Sequence, residues 1–313
     1  MRIGLVVDST CDLPEDFRRE HRIALLPVAI RLDGDELVDT HDSAAAMEFY
    51  HNDIGRRGVT AETRAYDTDQ ITELFLGRLV GEFDHVFCQT VMRSRSQIFE
   101  NATKASFRIL SGYKPTREDA GCDAPFAMRV VDTGTLLSGQ GVIAAETARR
   151  IAEGASVAAL RADIDTMIAS VHAYAVPADT YYLRARARRK GDRSVGWLAA
   201  TLANTLDFKP ILHGAGNQTE ALAHVRGFDA AAGRVLKNIR RAVNAGLDAP
   251  FVVLSYAGDL DVVRGLPGYA DLVDACREND VTLLASVMSV TGGINLGAGT
   301  LTVAILAKAF KFK

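Results

Sequence analysis

Several short stretches of the sequence combine residue types that could do chemistry. The first is Asp8-Ser-Thr-Cys-Asp12, which directly follows the apolar residues 3–7. Its side chains would suit a phosphate loop, a nucleophile or an acidic metal site. A Walker or dinucleotide phosphate loop is excluded, because neither G-x-x-x-x-G-K-[ST] nor G-x-G-x-x-G follows the apolar run.

Much of this stretch also has a structural explanation. Asp12 or Thr10 is a good helix N-cap, Glu15 stands three residues beyond Asp12 as in a capping box, and Pro14 suits the first helical turn. Capping does not explain Asp8, which lies at the C-terminal tip of a predicted buried strand, where the ligand sites of open sheets collect. Asp8 therefore either braces the loop by accepting backbone N–H bonds or faces a ligand.

A second stretch runs from Thr90 to Ser96 and includes Arg93, Ser94 and Arg95. It stands between an apolar run and a helical pattern. Free N–H groups at a helix N-terminus, together with nearby hydroxyls, suit an anion such as a carboxylate. Capping of the helix by Ser94 or Ser96 explains the same residues equally well.

Two further stretches lie in the second half of the chain. Residues 290–300 are dense in glycine between two strand-like runs, so they either let the backbone approach a ligand closely or form a plain hairpin loop. Residues 181–193 carry positive charge around a helical pattern, as a solvated face or as a docking surface for an acidic partner or phosphate. The candidate partner-binding residues of this run are Arg184, Arg188, Arg189 and Arg193.

Composition excludes several classes of protein. The chain has 313 residues and a formal net charge of −3, which lacks the basic footprint of a nucleic-acid-binding protein. Its four cysteines are far apart and stand beside no histidine cluster, so we expect no metal site, no disulfide framework and a reducing compartment. There is no leader pattern and no apolar window long enough to span a membrane, so we predict a cytoplasmic protein.

The elements that must position these stretches alternate between strands and helices in the first half. This alternation predicts a parallel sheet with helices on its faces, and the loops at the strand C-termini then gather on one edge. Residues 111–127 are predicted to form a surface insertion. The predicted strands are 3–7, 23–32, 85–89 and 128–132, and the predicted helices are 12–20, 74–79, 96–110 and 139–153.

The pattern changes near residue 155, and we predict two domains, 1–155 and 156–313. The second is an α/β domain. Its predicted helices are 157–168, 228–245 and 259–278, and its predicted strands are 171–176, 209–213, 251–256, 281–290 and 301–307, with a turn at 214–217.

In this order, the stretches resemble the DegV family of fatty-acid-binding proteins. The resemblance covers nearly the whole chain, and its order and spacing are more specific than any single motif. The further matching pieces are Leu26-Pro-Val28, Asp33-Gly34, Asp39, Thr60, Asn101-Ala102, Val131-Asp-Thr133, Gly139-Gln-Gly141, Phe208-Lys-Pro210 and Asn295-Leu-Gly-Ala-Gly299.

The resemblance implies the two-domain EDD fold: a Rossmann-like parallel-sheet domain and a C-terminal α/β domain with the ligand site between them. It also implies a carrier rather than an enzyme. Such a carrier holds a long-chain fatty acid in an apolar tunnel, needs no cofactor, and can present the carboxyl group to a separate fatty acid kinase. No specific nucleic acid and no membrane span are implied.

The family binds the acyl carboxyl with a threonine, a serine and a histidine. By motif, the threonine is Thr60, the serine falls between Thr90 and Ser96, and the histidine is replaced by Asn295. An asparagine cannot neutralise a carboxylate, so Arg93 or Arg95 would supply the positive charge. The predicted ligand-binding residues are therefore Ser9, Thr60, Thr90, Arg93, Ser94, Ser96 and Asn295.

The alternative is a hydrolase or transferase that uses a serine of residues 94–96 on an acyl or phosphoryl substrate. Against it, no histidine or lysine base can be paired with these serines from sequence, and no G-x-S-x-G elbow is present. The apolar runs 164–168, 198–206 and 211–212 could line an acyl tunnel, although each is equally suited to an ordinary core.

Overall fold

The computed structural model describes residues 1–32, 34–52, 61–189, 207–308 and 310–313. The strands are β1 Ile3–Asp8, β2 Ala24–Leu26, β3 Val28–Leu32, β4 Asp35–Asp39, β5 Ala61–Ala65, β6 His85–Thr90, β7 Ala127–Asp132, β8 Val171–Val176, β9 Phe208–Ala215, β10 Gln218–Arg226, β11 Phe251–Tyr256, β12 Thr282–Val287 and β13 Leu301–Leu306.

The helices alternate with these strands. They are α1 Glu15–Glu20, α2 Ser43–His51, α3 Thr68–Leu74, α4 Val80–Glu82, α5 Ile98–Gly112, α6 Lys114–Asp119, α7 Ser138–Ala152, α8 Val157–Ser170, α9 Thr180–Arg189, α10 Phe228–Ala245, α11 Leu260–Arg264, α12 Tyr269–Glu278 and α13 Val290–Leu296. A π-helical turn, Phe75–Leu79, joins α3 to α4.

The first half forms the predicted parallel sheet. Its order is β2-β1-β6-β7, and every neighbouring pair is parallel. Consecutive apolar residues of β1 and β6 are buried on both faces, as in sheets covered by helices on each side. The loops after β1, β6 and β7 therefore meet at one edge, which confirms the Rossmann-like arrangement.

Pro27 divides the predicted strand 23–32 in two. β2 precedes it in the parallel sheet, whereas β3 follows it in a separate antiparallel sheet of order β4-β3-β5. Proline has no N–H to donate to a ladder, so the chain changes sheets at this point. The single-strand prediction was wrong here, and β4, which is mostly exposed, was not predicted.

The second half forms a mixed sheet of order β10-β9-β8-β13-β11-β12. β11 and β12 are parallel, and the other pairs are antiparallel. The predicted turn at 214–217 joins β9 to β10, with positive φ at Gly216 and Asn217 as a tight hairpin requires. β10 was not predicted, because its nine residues alternate weakly between small, polar and apolar types.

Two predictions in this half are corrected. The helix 259–278 is divided into α11 and α12, with Pro267 in the intervening turn. Residues 290–296 form the short helix α13 rather than a hairpin loop, and Ser289 caps it by accepting the N–H of Gly292 at 3.2 Å.

Helix α7 lies between the parallel and mixed sheets. It contacts β1 and β6 on one side and β8, β11 and β13 on the other, and residues 138–148 are buried. A Cβ added at Gly141 would lie 2.3 Å from the Asp12 carbonyl oxygen, so glycine is needed for this close approach. One hydrophobic cluster therefore contains residues of both sheets, including Val7 and Val253. The domain boundary near residue 155 stays a prediction.

Candidate functional site

A cavity of about 920 Å³ opens at the C-terminal edge of the parallel sheet. This volume lies within the range of roughly 300–1,000 Å³ that is usual for small-molecule sites. The described residues that line it are Thr10, Val28, Thr63, Arg64, Ala65, Val91, Arg93, Ser94, Arg95, Ser96, Gln97, Glu100, Asn101, Lys104, Leu136, Leu137, Leu183, Arg186, Leu212, Thr219, Thr291, Gly292, Asn295 and Leu296.

Part of the lining is aliphatic. Leu183 of α9, Leu212 of β9 and Leu296 of α13 pack in one hydrophobic cluster, and Leu137 joins Leu296 in a second cluster. Three elements of the second half therefore place apolar side chains against the same space. Such a wall binds hydrocarbon without directional contacts.

The rest of the lining is polar and mainly cationic. Arg64, Arg93, Arg95, Lys104 and Arg186 line the cavity, whereas Glu100 is the acidic residue among its described lining. Arg64 pairs with Glu36 at 2.8 Å and Arg93 with Asp132 at 3.4 Å, and both arginines are substantially exposed. The cavity thus joins an apolar wall to a positively charged region, an arrangement that suits an amphiphilic anion.

Four of the predicted ligand-binding residues line this cavity: Arg93, Ser94, Ser96 and Asn295. The Ser94 hydroxyl donates to the Asn217 carbonyl at 2.9 Å, and the Ser96 hydroxyl accepts the N–H of Ile98 at 3.2 Å. The Ser94 contact joins the loop after β6 to the β9–β10 hairpin. Neither serine has a histidine or lysine partner among the described hydrogen bonds.

Asn295 lies on α13, near the start of β5. Its Nδ2 donates to the Thr291 carbonyl at 2.7 Å and lies 3.5 Å from Oγ1 of Thr63. The side chain thereby faces the cavity from a helix whose N-terminus is held by the parallel-sheet half of the chain. The structure brings Asn295 into the same lining as Ser94 and Ser96.

Ser9 and Thr90 do not belong to the described lining. The Ser9 hydroxyl donates to the Asp39 carbonyl at 2.5 Å and accepts the N–H of Val28 at 2.9 Å. Thr90 is fully buried, and its hydroxyl donates to the Val131 carbonyl at 3.3 Å. Both side chains are used in joining strands and loops behind the cavity.

Most of the remaining predicted residues lie outside the part of the chain that the structure describes. Thr60, Arg193 and residues 198–206 lie outside the described residues. Arg184, Arg188 and Arg189 belong to α9, but their side chains are outside the description. Of the other predicted tunnel segments, Leu212 lines the cavity, whereas Ile164 packs in the core between the sheets.

Sequence reasoning missed other polar residues of the lining, among them Thr63, Arg186, Thr219 and Thr291. Arg186 lay within the basic run, but helical spacing alone does not show which arginine turns inward. The Thr219 hydroxyl is buried and has no hydrogen-bond partner among the described residues. It lies on β10, which was not predicted as a strand, so no sequence signal pointed to it.

Asp8 acts as a brace behind the cavity. It accepts the N–H and hydroxyl of Thr10 at 2.9 and 2.5 Å and the N–H of Val91 at 2.6 Å. Its side chain is fully buried, and desolvation raises its pKa above the usual value. Asp8 thus joins the loops after β1 and β6 and leaves Thr10 and Val91 facing the cavity.

Asp12 and Asp39 hold the start of α13. Asp12 accepts the Ser255 hydroxyl at 2.5 Å and the Ser289 N–H at 3.1 Å, and Asp39 accepts the Thr291 N–H at 2.7 Å. Burial raises both pKa values, that of Asp12 to about 7. The predicted capping box is therefore absent: α1 starts after Pro14, and the Asp12 carboxyl contacts the second half instead.

The fold and cavity define an α/β protein in which a parallel sheet and a mixed sheet enclose a large site lined by hydrocarbon and positive charge. No helix within the described ranges is both long and apolar enough to cross a lipid bilayer. The chain belongs to the DegV family. The family model, described as "Uncharacterised protein, DegV family", matches residues 2–308.

Individual relatives agree with this membership. A DegV domain-containing protein of Xanthomonas campestris is 46% identical over 312 residues, which is 100% of this chain and 99% of that protein. A DegV domain-containing protein of Mycobacterium tuberculosis is 24% identical and is covered over 97% of both chains.

Solved structures show the same fold. A fatty acid (stearic acid)-binding protein from Eubacterium ventriosum superposes with a TM-score of 0.77 at 18% identity, over 98% of each chain. DegV of Bacillus subtilis, a fatty acid binding protein, gives a TM-score of 0.75 at 19% identity, over 99% of this chain and 100% of that one.

Proposed function

We propose that this protein binds a long-chain fatty acid in the 920 Å³ cavity and acts as a carrier. The observation that supports this most directly is the combination of lining residues: leucines from α9, β9 and α13 face the same space as arginines and hydroxyl groups. The solved relatives that bind fatty acids share the fold, and their ligand class fits this lining.

The affinity would come mainly from the acyl chain. Each methylene moved from water to an apolar site contributes about 0.8 kcal/mol, so ten buried methylenes contribute about 8 kcal/mol, from which the costs of association and of ordering the chain are subtracted. The carboxylate then needs a polar end of the cavity. We assign this end to Ser94, Ser96 and Asn295, with Thr60 from the sequence motif.

We also propose that the bound carboxyl group is presented to a separate enzyme such as a fatty acid kinase, with the basic run that contains Arg184, Arg188, Arg189 and Arg193 as the docking surface. The protein itself would then be a cytoplasmic carrier rather than a catalyst. A reducing compartment fits its free cysteines, of which Cys11, Cys88 and Cys276 are buried. A kinase assay with and without the loaded carrier tests this part separately.

Native mass spectrometry of delipidated protein tests the binding proposal. After addition of oleate or palmitate, we expect one adduct per chain that survives gentle desolvation. Buffer without fatty acid should give no adduct. Absence of an adduct with both fatty acids would overturn the carrier proposal. Burst release from an activated ester that Ser96→Ala abolishes would instead support the hydrolase alternative.

A further inference from the structure

Arg186 is the most buried arginine of the described lining. It lies on α9, only 9% of its surface is exposed, and it lines the cavity. By contrast, the side chains of Arg64 and Arg93 are 48% and 61% exposed. A buried guanidinium has lost much of its hydration, so its attraction to an anion is screened less than that of the rim arginines.

The position of this guanidinium is fixed by contacts of α9 with β5 and α13. Its Nη1 donates to the carbonyl of Ala61, the first residue of β5. One helical turn earlier, the Tyr182 hydroxyl donates to the Ile294 carbonyl at 2.7 Å, which holds α9 against α13. Arg186 is therefore bonded to β5, which carries Thr63, and its helix is held against α13, which carries Asn295.

Arg64, Arg93, Arg95 and Lys104 also line the cavity, but none of these four cations is buried. Asn295 and the threonines can donate neutral hydrogen bonds only, whereas guanidinium stays charged at every physiological pH and can bind a carboxylate through two N–H groups. Arg64 and Arg93, which pair with Glu36 and Asp132, lie close to solvent. Exposed pairs of this kind contribute little to the binding of a buried charge.

We propose that Arg186 is the residue that recognises the negative charge of the ligand head group and makes the cavity selective for anionic over neutral amphiphiles of equal chain length. The inference rests on the proposed function, because it assigns one end of the same cavity. It adds a residue that the predicted head-group set did not contain.

The test compares oleate with oleyl alcohol, which has the same C18 chain without the charge, in wild type, Arg186→Gln and Arg186→Lys. Wild type should bind oleate more tightly than the alcohol. Arg186→Gln should weaken oleate binding about 30-fold, the change expected for about 2 kcal/mol of lost charge-assisted contact, and leave alcohol binding within about threefold. Arg186→Lys should retain part of the preference for oleate.

Arg161→Gln is the matched control, because Arg161 is exposed on α8 and does not belong to the described lining. Equal loss of both ligands in Arg186→Gln would assign it a structural role and overturn the proposal, as would unchanged oleate binding. If that variant does not fold, absence of a preference for oleate over oleyl alcohol in wild type overturns the proposal. Wild type that binds neither ligand refutes the proposed function itself.

Discussion

The Ser255 hydroxyl donates a hydrogen bond to Oδ2 of Asp12 at 2.5 Å, across the junction between the mixed sheet and the parallel-sheet half of the chain. Both side chains are fully buried. The second oxygen of the same carboxyl accepts the N–H of Ser289, which caps α13. One carboxyl group thus connects the first loop of the chain to a helix that lines the cavity.

Ser255→Ala should lower the free energy of unfolding by about 2 kcal/mol, because a buried carboxyl group then loses a hydrogen-bond donor. Urea denaturation near pH 8 measures this with Asp12 ionised. Ser286→Ala is the control: Ser286 faces Ser255 in the adjacent strand, is buried, and its hydroxyl has no partner among the described residues. It should stay within about 0.5 kcal/mol of wild type. Equal effects of the two variants would contradict the role of the contact.

The pH dependence of stability should change when Asp12 is replaced by asparagine. Burial raises the folded-state pKa of Asp12 from 3.8 to about 7, so its protonated form favours the folded state and that contribution is lost as pH rises from about 4 to 7. Asp12→Asn removes this loss. Relative to wild type, the variant should therefore gain about 1.4 kcal/mol of unfolding free energy per pH unit across this window.

His41 contributes with the opposite sign. Its Nε2 lies 3.6 Å from Asp12, and burial lowers its pKa from 6.5 to about 3, so its stabilising contribution is present above pH 6.5 and lost as pH falls towards 3. The two contributions oppose each other in wild type between about pH 4 and 6.5. Urea denaturation of wild type and Asp12→Asn at several pH values measures the difference in their free energies of unfolding. If the two pH profiles are parallel, the raised pKa of Asp12 is contradicted.

Much of the fold follows from local sequence patterns, whereas the partners of single residues do not. The periodicity of residues 228–245 and 251–256 gives the bounds of α10 and β11 as observed. Asp12, however, was interpreted as a helix cap because capping is local. Its observed partners, Ser255 and Ser289, are 243 and 277 residues away in sequence. No periodicity encodes a contact over such a separation.

The candidate site likewise contains residues that local sequence patterns predict and residues that they do not. The strand–loop–helix pattern predicts that Ser94 and Ser96 lie at the ligand edge of the sheet, and the structure places both in the cavity lining. Arg186 could not be selected from its basic run, since the direction of its side chain depends on contacts of α9 with α13 and β5. The location of a residue in a loop at the C-terminal edge of a parallel sheet can be predicted from sequence. The direction of a side chain that is set by packing between distant segments cannot.

Gly141→Ala should destabilise the protein by about 3 kcal/mol or more. The new Cβ would lie 2.3 Å from the Asp12 carbonyl oxygen and 3.0 Å from Cγ1 of Val253, so α7 would be forced away from both sheets. Gly112→Ala provides the comparison, because it lies at the exposed end of α5 with no atom within 4 Å of the added Cβ. That substitution should stabilise by up to about 1 kcal/mol. Thermal melts of both variants separate the effect of the short contacts at residue 141 from the general effect of replacing a glycine in a helix.

Leu212→Trp should shorten the acyl site from its apolar side. Leu212 packs with Leu183 and Leu296 at the cavity wall, so a larger side chain there occupies space that hydrocarbon would fill. Displacing about three methylenes would cost about 2.4 kcal/mol, or roughly 50-fold in the Kd for oleate, whereas octanoate should be affected much less. Leu222→Trp, on the neighbouring strand at a residue 38% exposed and outside the described lining, should leave both affinities unchanged. Calorimetric titration of the two acids separates the cases: an equal loss for both chain lengths would mean that Leu212 supports the head-group end instead of the acyl wall.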